Sequence, residues 1–148
     1  MPGRLTKLAV RVLDGAAKLA LRPPAGPPHL ETGRRGEEAA YFHLRRLGYV
    51  MVARNYRSPR RHGELDLVGW DGDVLCFVEV KTRTTRAVMP AEAAVDAEKQ
   101  RDLALVAREY LRRVPGLPAW RFDVVSVYLE EAGGAPEIIL FKNAFPMS

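Results

Sequence analysis

The sequence has one cysteine, three histidines and no long apolar run. Cys76 alone cannot form an internal disulfide or a zinc site built on thiolates, so a reducing cytoplasm is the default expectation. No stretch approaches the roughly 20 apolar residues that a helix needs to cross a bilayer, which predicts no membrane span. Hydrophobic residues make up 47% and charged residues 28% of the chain. This composition is typical of a globular domain and excludes a disordered chain or a coiled coil.

The charge is divided unevenly along the 148 residues, whose formal net charge is +5. Residues 1–30 contain five basic residues and one acidic residue, and residues 34–61 contain eight basic and two acidic residues. Residues 62–148 contain ten basic and fourteen acidic residues. This division favours a loop that binds phosphate beside a pocket that binds cations over a uniformly basic surface.

The same division suggests two parts of the chain. We expect residues 1–30 to be a mobile basic extension with a short amphipathic helix over residues 1–22 and a proline-rich linker after it. A basic helix that contacts a membrane or nucleic acid is the alternative for this segment. Residues 31–148 are long enough for one domain with its own core.

Hydrophobic periodicity in this domain predicts the order α-β-β-β-α-β. One helix is expected from Thr32 as N-cap to Leu47, and a longer helix over residues 90–113. The predicted strands cover residues 50–55, 63–70, 74–82, 121–129 and a short last segment, 138–141. The order predicts an α/β fold in which a mixed central sheet is flanked by helices.

Two charged residues lie on an apolar face of the predicted strand 74–82. Alternation places Glu79 and Lys81 on the same side as Leu75 and Phe77, while the opposite side is also apolar. Such a strand is expected to be central and covered on both faces. Burying these charges without partners is costly, so they need each other, a metal or a ligand. A surface ion pair of little energetic value is the alternative.

The preceding strand supplies further carboxylates. A hairpin loop formed by Asp71-Gly72, or by residues 70–73, places Glu64 opposite Glu79 and Asp66 one diagonal step from it. A three-residue loop would instead move Asp66 to the other face. Like charges at this spacing repel each other, and a divalent cation would remove the repulsion. Glu64 could also be only the solvated first residue of its strand.

The two predicted helices direct further charged residues toward the sheet. Helical spacing aligns Glu37 with core positions of the first helix and Lys99 with core positions of the second. Alternatively, Glu37 only favours the positive end of its helix and Lys99 extends past the sheet to water. Oxygen ligands without a neighbouring cysteine or histidine suit Mg²⁺ or Mn²⁺ rather than zinc.

A series of spaced motifs resembles the uncharacterised bacterial YraN family. The motifs are Gly33-x-x-Gly36-Glu37-x-x-Ala40, Leu47-Gly48-Tyr49, Asn55-x-Arg57, GELDLV, FVEVKTR and RFDVV, over about residues 31–130. That family in turn resembles the restriction-endonuclease-like, PD-(D/E)xK and Holliday-junction-resolvase-like nucleases. The resemblance implies a restriction-endonuclease-like αβββαβ core. It also implies that Asp66, Glu79 and Lys81 stand at the D…ExK positions and Glu37 at the position of the acid on the first helix.

This resemblance implies a chemistry that suits the residues. Asp66, Glu79 and the backbone carbonyl of Val80 would hold Mg²⁺ (or Mn²⁺) against the scissile phosphate. Lys81 would orient the attacking water or neutralise the phosphate, and Glu37 would assist through water or hold a second cation. The expected nucleic-acid contacts are the arginines Arg54, Arg57, Arg60 and Arg61, with Lys99 and Gln100 as further phosphate contacts.

We therefore predict a metal-dependent nuclease that hydrolyses phosphodiesters in DNA, including branched or structured DNA. A nucleic-acid-binding module with the same site but little activity is the alternative. A structural protein-interaction domain is a third, less favoured hypothesis. The resemblance also allows a homodimer, because junction-cleaving relatives act in pairs, but no residue of the sequence defines an interface.

Overall fold

A computed structural model describes residues 27–84, 95–130 and 133–146. The helix expected over residues 1–22 and most of the proline-rich linker lie outside the described residues. The first five residues of the helix expected at 90–113 also lie outside the described residues, which resume at Val95.

In the described residues, two helices and five strands form an α/β fold. In chain order they are α1 (Pro28–Arg46), β1 (Val50–Arg57), β2 (Glu64–Asp71), β3 (Val74–Arg83), α2 (Ala97–Leu111), β4 (Trp120–Tyr128) and β5 (Glu137–Phe145). The strands are hydrogen-bonded in the order β1-β2-β3-β4-β5. Only β3 and β4 are parallel, and α2 lies between them in the chain. The predicted mixed sheet with flanking helices is confirmed.

Each face of the sheet is covered by one helix. Ala40, Tyr41 and Leu44 of α1 belong to a buried cluster with Leu67 and Val78 of the sheet. On the other face, α2 buries Leu103 and Val106 against Phe77 and Phe122. Because β3 contributes to both clusters, it is a central strand with two covered faces, as its apolar pattern predicted.

The loop between β2 and β3 differs from those considered above, which were Asp71-Gly72, residues 70–73 and a three-residue loop. Asp71 pairs with Val74, so the loop consists of Gly72 and Asp73. Gly72 has a φ of 60°, and glycine at the first loop position is typical of a type II′ turn. The observed register is shifted by two residues from the expected one. Glu64 therefore does not lie opposite Glu79. Leu65 packs with Val68 in the cluster under α2, whereas Leu67 packs in the cluster under α1, so the alternation predicted for β2 is interrupted at Asp66.

Both helices begin elsewhere than predicted. Helix α1 starts at Pro28, because proline is pre-organised for the first helical position, and Thr32 lies inside the helix with its hydroxyl donating to the Pro28 carbonyl. Helix α2 starts at Ala97, because the Asp96 side chain accepts a hydrogen bond from the Lys99 backbone N–H as N-cap. Neither helix, nor any other in the described parts of the chain, is long and apolar enough to cross a membrane.

Gly36 brings α1 unusually close to the end of β3. A Cβ atom added at Gly36 would lie 1.8 Å from Thr82 Oγ1. Only glycine permits this approach, which also sets the distance from the neighbouring Glu37 to the sheet.

Candidate metal and nucleic-acid site

Asp66 and Glu79 meet where the ladder between β2 and β3 ends. The last paired residues are Leu67 and Val78, and Asp66 and Glu79 are the next positions on the two strands. The Asp66 side chain replaces a backbone acceptor, because its Oδ2 accepts a hydrogen bond from the Val80 N–H at 2.8 Å. The Glu79 side chain is only 5% exposed. The chain thus places one buried carboxylate directly beside a second.

Two lysines approach Glu79 from different elements. Lys81 Nζ lies 3.2 Å and Lys99 Nζ 3.6 Å from the same atom, Glu79 Oε1. The other oxygen, Oε2, is buried and has no hydrogen-bond partner among the described residues. A buried carboxylate oxygen without a partner is costly to the fold. This oxygen is therefore available to a cation or a bound proton donor.

The carboxyl of Asp66 has a strongly raised pKa. Burial is the largest cause, the neighbouring Glu79 charge adds to it, and the hydrogen bond from the Val80 N–H opposes it. The resulting pKa is about 8. In the metal-free protein, Asp66 therefore keeps its proton at pH values well above 3.8, the ordinary pKa of this carboxyl group. A divalent cation would replace that proton and release the repulsion between the carboxylates.

This shift makes the stability of the metal-free protein depend on pH. Because the pKa of Asp66 is higher in the folded than in the unfolded chain, protonation stabilises the fold. That contribution is complete below about pH 4 and is lost as the pH rises toward 8. We expect urea denaturation in EDTA to show wild type losing more stability over this range than Asp66→Asn. Parallel curves for the two proteins would contradict the assignment.

Glu37 and Glu64 form a second pair of acids beside the first. With its amide oriented to satisfy both neighbours, Asn55 donates to Glu37 Oε2 at 3.1 Å and to Glu64 Oε1 at 2.9 Å. Burial and the charge of Glu64 raise the pKa of Glu37, while Arg54 opposes the shift. Asn55 was absent from the predicted site residues. The Asn55-x-Arg57 motif could have identified it. In the structure Asn55 has a φ of 49°, which asparagine tolerates better than most residues.

The four acids thus form two pairs rather than one cluster. Across residues 27–84, 95–130 and 133–146, no three histidine, cysteine, aspartate or glutamate side chains are arranged to hold one metal together. Asp66, Glu79 and the Val80 carbonyl are nevertheless a donor set that suits Mg²⁺, which binds few protein ligands and keeps several waters. The unpartnered Oε2 of Glu79 supports this fit.

The arginines predicted to contact nucleic acid have different partners in the structure. Arg54 stacks on the Tyr41 ring at 4.5 Å, and Arg57 pairs with Glu64. The backbone N–H groups of Arg60 and Arg61 donate to Ser58 Oγ. The side chains of Arg60 and Arg61 are not among the described ion pairs, and both residues are exposed.

Further contacts explain how this loop and the start of α2 are held. The buried Ser58 hydroxyl donates to Glu109 of α2, which anchors the arginine-containing loop to that helix. Gln100, another expected phosphate contact, donates its amide to the Val95 carbonyl at 2.8 Å. This hydrogen bond stabilises the start of α2, and the contact of Gln100 with phosphate stays a prediction.

A separate polar network lies near the opposite end of the sheet. Asp123 is fully buried and accepts hydrogen bonds from Arg121, from the Asn143 N–H and from the Tyr49 hydroxyl. Its pairing with Arg121 gives Asp123 a structural role. Asp71, expected to be a simple turn residue, accepts from both Arg121 and Lys142.

Comparison with known proteins agrees with the motif resemblance. Residues 36–127 match the family described as "Uncharacterised protein family UPF0102". A UPF0102 protein of Koribacter versatilis is 54% identical over 97% of this chain and 96% of its own. One from Solibacter usitatus is 49% identical over 76% of this chain and 84% of its own. One from Porphyromonas gingivalis is 45% identical over 80% and 87%, respectively. The chain therefore belongs to the UPF0102 (YraN) family.

Proposed function

We propose that this protein is a metal-dependent nuclease that hydrolyses phosphodiester bonds in DNA. The observation that carries the proposal is the environment of Glu79, which is buried beside Asp66, contacts two lysines and keeps one oxygen without a partner. A purely structural position would more favourably hold an apolar residue, since a buried ion pair often costs more than it contributes. The arrangement instead suits a site that must bind a cation and a phosphate together.

Each residue of the site has a defined role in this proposal. Asp66, Glu79 and the Val80 carbonyl would hold Mg²⁺ or Mn²⁺. The bound ion would lower the pKa of the attacking water and neutralise the negative charge that develops on the phosphate. Lys81 exchanges its contact with Glu79 for one with the phosphate oxygen or the attacking water. Water would add to phosphorus as the P–O bond to the leaving oxygen breaks. The attacking water would lose one proton to a neighbouring water, and the leaving oxygen would take one from solvent.

The neighbouring residues would position the substrate. Glu37, held by Asn55, accepts hydrogen bonds from waters beside the cation. Arg60 and Arg61 contact the DNA backbone without reading bases, and the Ser58–Glu109 hydrogen bond keeps their loop in place. Lys99 contributes a further positive charge near the phosphate.

A DNA-binding module with little activity is the second candidate. One observation favours it: Lys81 and Lys99 both approach Glu79 Oε1 and already offset part of the charge that attracts a cation. In the nuclease, a bound phosphate would draw one lysine away and restore that attraction, so substrate and metal would bind cooperatively. In the binding module they would not.

Cleavage assays on a panel of DNA substrates test the proposal. The panel contains single-stranded, duplex, flapped and four-way-junction DNA, each incubated with Mn²⁺, Mg²⁺ or EDTA. We expect metal-dependent cleavage of at least one substrate by wild type and none by Glu79→Gln, which keeps the size of the side chain but removes its charge. Intact substrates that are still bound with a steep salt dependence would favour the binding module. Equal cleavage by Glu79→Gln would exclude the assigned site.

A further inference from the structure

An open cleft lies between the start of α1 and the end of β3, and Glu37 is the acid of the site that lines it. Its volume is about 450 Å³, and its lining includes His29, Thr32 and Glu37 from α1 and Lys81, Arg83 and Thr84 from the end of β3. The roles assigned above use Lys81 and Glu37 but leave the rest of the cleft without a function. Cationic and hydroxyl side chains predominate there, which is the chemistry of an anion site.

Arg83 is the residue of this lining that most needs a ligand. Its Nε atom is buried and has no hydrogen-bond partner among the described residues. Its backbone is held, because the Arg83 carbonyl accepts from the Leu129 N–H at 2.8 Å and Arg83 pairs with Tyr128 of β4. A guanidinium nitrogen that is buried on a rigid strand without an acceptor leaves a desolvation cost uncompensated.

The position of Arg83 relative to Glu79 and Lys81 indicates which anion it would bind. Glu79, Lys81 and Arg83 alternate along β3 and so share one side of the strand. Arg83 lies two residues beyond Lys81, which is roughly 7 Å along a strand. This separation is comparable to that between neighbouring phosphates on an extended nucleic-acid strand.

We propose that the cleft is a phosphate subsite for an unpaired nucleotide, in which Arg83 binds the phosphate next to the scissile one. The inference rests on the proposed function for the identity of the scissile phosphate. A cleft of about 450 Å³ is within the range of small-molecule pockets and admits one nucleotide. A cleft of this volume has room for one nucleotide but not for its base-paired partner as well. The preferred substrate class is therefore single-stranded DNA or the unpaired part of a branched molecule.

Binding measurements without metal test the subsite separately from catalysis. The probe is a fluorescein-labelled oligothymidylate, titrated with the protein in EDTA at several salt concentrations. Arg83→Gln should weaken binding roughly tenfold, the scale of one charge-assisted hydrogen bond. It should also reduce the slope of log K against log salt by about 0.7, as expected for one lost phosphate contact on a single strand. Arg112→Gln, which removes an exposed arginine near the far end of α2, is the matched control.

A second variant keeps the test valid if Arg83→Gln does not fold. Thr84 is exposed and lines the cleft, so Thr84→Glu adds a repelling carboxylate without disturbing the core, and Thr84→Gln matches its size. The proposal predicts that Thr84→Glu weakens binding of the oligothymidylate and that Thr84→Gln does not. It also predicts that Thr84→Glu weakens binding of a duplex probe less than binding of the single strand. Unchanged affinity and slope in Arg83→Gln and Thr84→Glu would overturn it, as would wild type that does not bind the probe. Equal weakening on single strand and duplex would also overturn it.

The outcomes separate the two proposals. Altered binding in these variants together with a panel of uncleaved substrates would exclude the nuclease but retain the subsite. Metal-dependent cleavage together with unaltered binding would retain the nuclease and exclude the subsite.

Discussion

Lys81→Ala is expected to lower the rate of metal-dependent DNA cleavage by about 10²–10³-fold, the range typical of removing one group that stabilises charge in a transition state. Lys81 is the closer of the two lysines to Glu79 Oε1, at 3.2 Å, and its side chain is 22% exposed. A substrate phosphate can therefore reach it without unfolding the site. Single-turnover cleavage at saturating protein measures the loss at the chemical step rather than in binding.

Two controls define what this loss means. Lys142→Ala removes an exposed lysine that contacts Asp71 in the separate polar network, and it should cleave at a rate close to wild type. Mn²⁺ binding, followed by its effect on the thermal denaturation midpoint, should persist in Lys81→Ala because Asp66 and Glu79 remain. Cleavage by Lys81→Ala within a few-fold of wild type would contradict the role of this lysine.

Arg121→Met is expected to produce the largest loss of stability, about 3 kcal/mol in the free energy of unfolding. Arg121 donates to Asp123 at 2.8 Å and to Asp71 at 2.7 Å, and Asp123 is fully buried. Methionine preserves much of the side-chain volume but leaves a buried carboxylate without its cation. Urea denaturation measures the difference.

The cause of that loss can be checked with further variants. Arg112→Met changes an exposed arginine and should alter stability by no more than about 0.5 kcal/mol. Adding Asp123→Asn to Arg121→Met removes the unpaired charge and should recover part of the stability. A loss below about 1 kcal/mol in Arg121→Met, the scale of a surface ion pair, would show that this network is solvated.

The periodicity of the sequence predicted the elements of the fold well. Alternation in β3 indicated a strand covered on both faces, and the core clusters that include Phe77 and Val78 confirm it. Helix starts were less predictable. Helix α1 starts at Pro28 although Thr32, further along the chain, is also a plausible cap, and α2 starts after Asp96 although the prediction placed its start earlier, at residue 90. Only tertiary packing selects among such alternatives.

The hairpin shows why side-chain pairing could not be predicted in full. Asp-Gly favours a type I′ turn with both residues in the loop, whereas the protein uses Gly72-Asp73. The two choices differ by two residues in register, which by itself changes the partner of a side chain but not its face. The alternation of β2 is also interrupted at Asp66, because Leu65 and Leu67 lie in different core clusters. Glu64 consequently pairs with Arg57 on the neighbouring strand, and Asp66 takes the position beside Glu79.

The sequence by itself determined which residue types could serve the site and on which side of the helices and of β3 they lie, because period and alternation follow from local backbone geometry. Its single cysteine and few histidines likewise left oxygen ligands as the available chemistry. Only the tertiary structure decided which acids meet, that Asn55 joins Glu37 to Glu64, and that Arg83 faces a cleft without an acceptor. These relations depend on strand register and on the close approach of α1 at Gly36, which join residues far apart in the chain and leave no periodic signal in the sequence.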